Sequence, residues 1–89
     1  MDTQTIEART VVQSLLKERA SGATICPSEA ARALACDDGD WRTLMPTVHA
    51  AVDAMIAEGA IRLSWKGHAL RARQGPYRIA LAPFNRARR

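Results

Sequence analysis

The second part of this sequence lacks acidic residues: none occurs from Ala60 to the C-terminus, although that stretch holds eight bases. All nine Asp and Glu residues lie in the first 59 positions, where only five bases accompany them. The formal net charge of +4 is therefore −4 from the first part and +8 from the second. Because so uneven a field attracts polyanions to one end of a small body, the pattern favours an anionic partner.

Other absences narrow the class of protein. No apolar run approaches the roughly 18 residues of a membrane span, and the first residues are acidic and polar, unlike a secretory signal. Two cysteines in such a chain predict free thiols in a reducing compartment, so we expect a cytoplasmic protein with no membrane partner. With only two Trp, one Tyr and one Phe, the core must be mainly aliphatic.

The apolar spacing predicts one domain over residues 1–82, followed by a basic and flexible tail over residues 83–89. A stripe at helical spacing predicts a first helix from about Thr3 to Arg19, which Ala20–Gly22 would end. Pro27 suits the first position of a second helix, and Glu29 would complement its exposed N–H groups.

A third helix is predicted after a short turn. Asp40 would cap that turn, and Pro46 would lie in the first turn of the helix, with Gly59 at its end. The expected buried stripe of this helix consists of Val48, Ala51, Val52, Met55 and Ile56.

Two segments alternate apolar and basic residues as half-exposed strands do: Ile61–Lys66 and Tyr77–Leu81. We predict that they pair antiparallel, with residues 67–76 forming a long loop between them. With a short β-prone stretch at Thr24–Cys26, the order predicts an α+β winged helix-turn-helix: three helices, a short strand and a C-terminal β-hairpin wing.

Several stretches resemble a small bacterial domain family with no assigned function. They are Thr-Ile-Cys-Pro-Ser-Glu at 24–29 with Arg32, Trp-Arg at 41–42 with Leu-Met-Pro at 44–46, Glu-Gly-x-Ile at 58–61 and Gly-Pro-x-Arg-Ile at 75–79. The resemblance covers most of the chain outside its ends. It implies a winged-helix fold and no particular activity.

The third helix is poorly equipped to read a DNA sequence. Base edges in the major groove are usually read by Arg, Lys, Asn or Gln, and this helix contains none of them. Thr47 and His49 are its only candidates, whereas Asp53 and Glu58 would repel phosphates.

The predicted wing and its flanking strands are a better candidate for binding. Lysine and arginine on a wing contact phosphates and release counterions. The candidate contact residues are Arg62, Lys66, His68, Arg71, Arg73 and Arg78. We expect duplex DNA as the partner, bound mainly through its backbone; the alternatives are an acidic protein surface, or a basic surface that only keeps the protein soluble.

The two tryptophans are interpreted as structural. Trp65 shares a strand face with Ile61 and Leu63, so alternation places it toward the core rather than against a base. Trp41, just after the Asp40 cap, is expected to cover the junction of the second and third helices.

No catalytic, metal or cofactor site is predicted. Cys26 and Cys36 would lie about 15 Å apart along a helix, too far for a disulfide, and no ligand spacing supports a metal. A thiol at a helix N-terminus has its thiolate favoured, so a redox role for Cys26 stays open beside a buried or capping one. The chain has no phosphate-binding Gly loop or nucleophile elbow, so we expect that it is not an enzyme, and its sequence identifies no small-molecule substrate.

Overall fold

A computed structural model of the chain describes residues 3–19, 23–35 and 39–82. Three helices precede a small sheet. In chain order the elements are α1 (Thr3–Lys17), α2 (Pro27–Ala35), a 3₁₀ turn (Trp41–Leu44), α3 (Met45–Ala57), β1 (Ile61–Trp65), β2 (His68–Leu70) and β3 (Arg78–Leu81). Three predicted features lie outside the described residues: the end of the first helix at residues 20–22, Cys36, and the basic tail at residues 83–89.

The N-terminus of α2 is fixed by side-chain and backbone hydrogen bonds. Pro27 is its first helical residue, as predicted, and the Glu29 carboxylate accepts a hydrogen bond of 2.9 Å from the Cys26 N–H. This is one half of a capping box, because the third helical residue satisfies the N–H of the residue before the helix. That hydrogen bond, followed by the nearby Arg19 guanidinium, holds the pKa of Glu29 below its ordinary value.

The start of α3 is also as predicted. Asp40 accepts a hydrogen bond of 3.1 Å from the Arg42 N–H and caps the 3₁₀ turn, and Pro46 lies in the first turn of α3. Trp41 packs against the core from this turn, with the guanidinium carbons of Arg32 and Arg42 at 4.7 and 4.6 Å from its ring centroid. Trp41 therefore covers the junction between α2 and α3, which confirms its structural interpretation.

The three strands form an antiparallel sheet in the order β2-β1-β3. The predicted pairing of the two longer strands is confirmed, and Ile25 adds one further bridge to Ile79 at the β3 edge. The prediction of a continuous loop over residues 67–76 was wrong, because β2 lies within it and pairs with β1. Lys66 (φ 52°) and Gly67 (φ 84°) make a two-residue turn of the kind that joins tight hairpins.

The core lies between the helices and one face of the sheet. Its fully buried members come from every helix, from both longer strands and from Ile25 before α2: Ala8, Val12, Ile25, Ala30, Ala31, Val48, Ala51, Val52, Met55, Leu63 and Ile79. None of the described helices is long and apolar enough to cross a membrane. The domain is thus α+β, with three helices and a three-stranded antiparallel sheet in a winged-helix-like arrangement.

Candidate nucleic-acid interface

The sheet has an inner face toward the core and an outer face toward solvent. Ile61, Leu63 and Ile79 are buried on the inner face. The register pairs Arg62 with Ala80, and Ser64 with both Arg78 and Ala69. Because successive strand residues point to opposite sides, the outer face consists of Arg62, Ser64, Ala69, Arg78 and Ala80. Small residues between two arginines leave this face flat and cationic.

The β1–β2 hairpin carries three further candidate residues. Lys66 occupies its turn, His68 pairs with Trp65 at the start of β2, and all three of Lys66, His68 and Arg71 are exposed. Arg71 directly follows Leu70, which pairs with Leu63, so the chain leaves the hairpin beside Arg62. Within residues 3–19, 23–35 and 39–82, neither Arg62, Lys66 nor Arg71 takes part in an ion pair.

Arg78 is held by the chain that precedes α2. Its Nε donates a hydrogen bond of 2.8 Å to Thr24 Oγ1, and its Nη2 donates one of 3.2 Å to the Thr24 carbonyl oxygen. Two of its three guanidinium nitrogens are therefore hydrogen-bonded, and Arg78 connects β3 to Thr24 in the segment before α2.

Arg73 is engaged by α3. Its Nε and Nη2 donate hydrogen bonds of 2.7 and 2.9 Å to the two oxygens of Asp53. These bonds lower the pKa of Asp53 and raise that of Arg73. Glu58 is likewise bound by Arg9, whose Nη2 donates a hydrogen bond of 2.7 Å. Both acids that we expected to repel phosphates from the third helix are therefore neutralised by neighbouring guanidinium groups.

The two candidate residues of α3 lie away from the outer face. Thr47 and His49 are half-buried, and His49 Nδ1 shares a hydrogen bond of 2.7 Å with the Tyr77 hydroxyl. Burial, followed by the charge of Arg73, lowers the pKa of His49, so its imidazole is neutral at pH 7. Burial also raises the pKa of Tyr77.

Trp65 departs from its predicted position. It does lie on the inner side of β1, as alternation requires, but it is 37% exposed rather than buried in the core. The core ends one residue pair earlier, at Leu63, and Trp65 instead lines a cavity of about 330 Å³ with Met45, His49 and Tyr77. Sequence reasoning missed this cavity, and no local signal shows it, because it depends on where the core ends along β1.

The structure thus divides the predicted contact residues into three groups. Arg62 on β1, Lys66 in the turn and Arg71 just after β2 belong to the β1–β2 hairpin. Arg73 is bound to Asp53, and Arg78 is bound to Thr24. The third group lies on the inner side of the sheet and consists of Thr47 and His49 on α3 and His68 on β2.

Candidates for other chemistry are few. Cys26 is a free cysteine whose Sγ lies 3.1 Å from Ser28 Oγ at the start of α2. No cluster of three His, Cys, Asp or Glu side chains suited to a metal occurs in the described part of the chain.

The fold and this surface define a small winged-helix-like α+β domain with a cationic hairpin. A family model described as a protein of unknown function, DUF3253, matches residues 5–82, and the chain belongs to that family. A search of curated proteins finds no match.

Proposed function

We propose that this protein binds nucleic acid, with duplex DNA as the favoured form, mainly through the phosphate backbone. The observation that carries the proposal is the β1–β2 hairpin, where Arg62, Lys66 and Arg71 are exposed and make no ion pair with any described residue. No acid occurs between Ala60 and Ala82 to oppose them. Binding would neutralise phosphates and release their counterions, and this release supplies most of the affinity for any sequence.

The surface of α3 supports a binding mode with little base reading. The exposed residues of this helix are Pro46, Ala50, Asp53 and Ala57. The three apolar ones cannot read a base edge, and both oxygens of Asp53 are occupied by Arg73. In this proposal α2 and α3 form a helix-turn-helix that approaches the duplex without reading its sequence, while Arg73 and Arg78 hold the sheet in place. A cytoplasmic location, where nucleic acid is accessible, belongs to the same proposal.

Fluorescence-anisotropy titrations with a random duplex across a salt series test the function. Three phosphate contacts predict that log K falls with log salt at a slope of about −2.7, since each contact contributes about −0.9. Arg62→Ala and Arg71→Ala should each reduce the steepness by about 0.9. Lys17→Ala, which removes the same charge from α1, is the matched control and should change the slope little. If all three variants behave alike, net charge rather than the hairpin determines binding.

A protein-interaction module is the second candidate, and one observation favours it. Ile6 is 51% exposed beside Val11 and Leu34, in an apolar groove of about 420 Å³ between α1 and α2. A protein partner with an acidic rim would combine this groove with the basic surface. Ile6→Asp should abolish such binding without changing the salt slope for DNA, and an affinity for the protein partner that depends less on salt than duplex binding does would favour this candidate.

A further inference from the structure

Trp65 lines a cavity that the proposed phosphate binding does not involve. The cavity of about 330 Å³ opens between the start of α2, the first turns of α3, the end of β1 and the segment before β3. This volume is near the lower limit for small-ligand sites, which are mostly apolar with a few polar groups. Its size suits one flat ring system rather than a peptide or a lipid chain.

The walls of the cavity suit an aromatic ring. Trp65, Tyr77 and His49 contribute three rings, and Met45 and Pro76 contribute apolar surface. The rings of His49 and Tyr77 are tilted by 53° with their centroids 5.7 Å apart, and Tyr77 binds Nδ1 of His49. The other imidazole nitrogen, Nε2, has no hydrogen-bond partner within the described residues, so it remains available to the polar edge of a ligand.

A cation stands next to this aromatic wall. The Lys66 ammonium lies 5.9 Å from the centroid of the Trp65 ring, in the turn of the same hairpin that carries Arg62 and Arg71. Two described acids lie near the cavity wall, Asp53 close to His49 and Glu29 against Cys26, and they are bound by Arg73 and Arg19, respectively. A ligand in which an anionic group is joined to a flat ring therefore matches this part of the hairpin, because the Lys66 ammonium can bind the anion and the aromatic surface can bind the ring.

We propose that this cavity receives the base of an unpaired nucleotide whose phosphate contacts Lys66. The inference rests on the proposed function and makes it more specific, because the preferred substrate becomes a duplex with a single-stranded extension. Bases within a duplex are already stacked on their neighbours, whereas an unpaired base can stack on an aromatic side chain whatever its identity. Trp65 would supply the stacking surface, and His49 Nε2 would meet the edge of the base.

The test compares two DNA ligands that carry the same phosphates. One is a duplex with a three-nucleotide single-stranded extension, and the other has the same extension with abasic sugars. With a blunt duplex as reference, we expect the base-containing extension to bind about tenfold more tightly than the abasic one, the fold-change expected for stacking one base. Equal affinity for the two extensions overturns the proposal, and absence of salt-dependent binding to all three ligands overturns the proposed function itself.

Two further measurements locate the effect. Trp65→Ala should abolish the preference for the base-containing extension and leave blunt-duplex binding within about twofold, whereas Trp65→Phe should keep part of the preference. In the unaltered protein, the indole N–H resonance of Trp65 should shift with the base-containing ligand and not with the abasic one. The indole of Trp41, packed between Arg32 and Arg42, should stay unchanged and is the internal control. A preference that persists in Trp65→Ala, or a shift at Trp41 alone, would contradict the placement.

Discussion

His49 and Tyr77 share a hydrogen bond between α3 and the segment that leads into β3. The burial of His49 at this contact predicts that the fold is sensitive to acid. Burial and the charge of Arg73 hold the pKa of His49 below its ordinary value of 6.5, against the opposing charge of Asp53. Above pH 6.5 the imidazole is neutral in both the folded and the unfolded chain. As the pH falls through 6.5, the unfolded chain takes up a proton that the folded one resists, so stability decreases.

We therefore expect the melting temperature to fall between about pH 7 and about pH 5, with less of this loss in His49→Gln, which cannot titrate. Thermal unfolding, followed by circular dichroism across this pH range, measures the melting temperatures of the unaltered protein and the variant. The carboxylates of Glu29 and Asp53 also have lowered pKa values, but their contributions are lost only below their ordinary values of 4.5 and 3.8. The matched control is His68→Gln on the exposed hairpin. A pH dependence lost in His68→Gln and kept in His49→Gln would contradict this assignment.

At the scale of elements, the end of α3 depends on one glycine. Gly59 has φ 75°, its N–H donates to the Ile56 carbonyl, and the Ala60 N–H donates to that of Met55. These two bonds form a Schellman motif, which satisfies the last carbonyls of a helix and places its next residue in the left-handed region. The motif turns the chain directly into β1.

Replacing Gly59 by alanine should lower the free energy of unfolding by about 1–2 kcal/mol, measured by urea denaturation. A side chain there would meet nothing within 4 Å, so the loss would come from the backbone conformation and not from a clash. Gly59→Asn should cost less, because asparagine tolerates this conformation better than alanine does. Equal losses for the two variants would show that the side chain, not the φ angle, matters.

Most elements of this fold follow from local signals. Pro27 with Glu29 marks the start of α2, Asp40 with Pro46 marks the start of α3, and Gly59 marks its end, each through a physical requirement of a helix terminus. The strand β2 was missed because Lys66 is an unusual residue for a left-handed turn position, so Lys66-Gly67 did not appear to be a hairpin turn.

The candidate site was only partly predictable for a different reason. Exposure of Arg62, Lys66 and Arg71 follows from strand alternation and from the charge pattern. The partners of Arg73 and Arg78 lie 20 and 54 positions away in sequence, so no local pattern shows that these two guanidinium groups are occupied. The position of Trp65 likewise depends on where the core ends, which is a tertiary property.

At the scale of the whole molecule, three ion pairs join elements of the described chain, and one of them, Arg73 with Asp53, connects its acidic and basic parts. Arg9 joins α1 to Glu58 after α3, Arg19 joins the end of α1 to Glu29 on α2, and Arg73 joins the segment after β2 to Asp53. Exposed pairs of this kind contribute only about 0.2–1 kcal/mol each to stability. Their larger effect is on the surface field, because each pair removes one positive and one negative charge from the surface presented to a polyanion.

Removing the ion pair between Arg73 and Asp53 tests whether α3 faces the same polyanion as the hairpin does. Asp53→Asn should cost less than about 1 kcal/mol of stability, and it should release Arg73 for one more phosphate contact. We expect tighter duplex binding and a salt slope steeper by about 0.9, measured by the same anisotropy titration. Glu18→Gln, in the turn just after α1, removes an equal negative charge without releasing Arg73, and it should leave the slope unchanged. If Asp53→Asn changes affinity no more than Glu18→Gln does, α3 lies outside the contact, and the duplex is held by the hairpin alone.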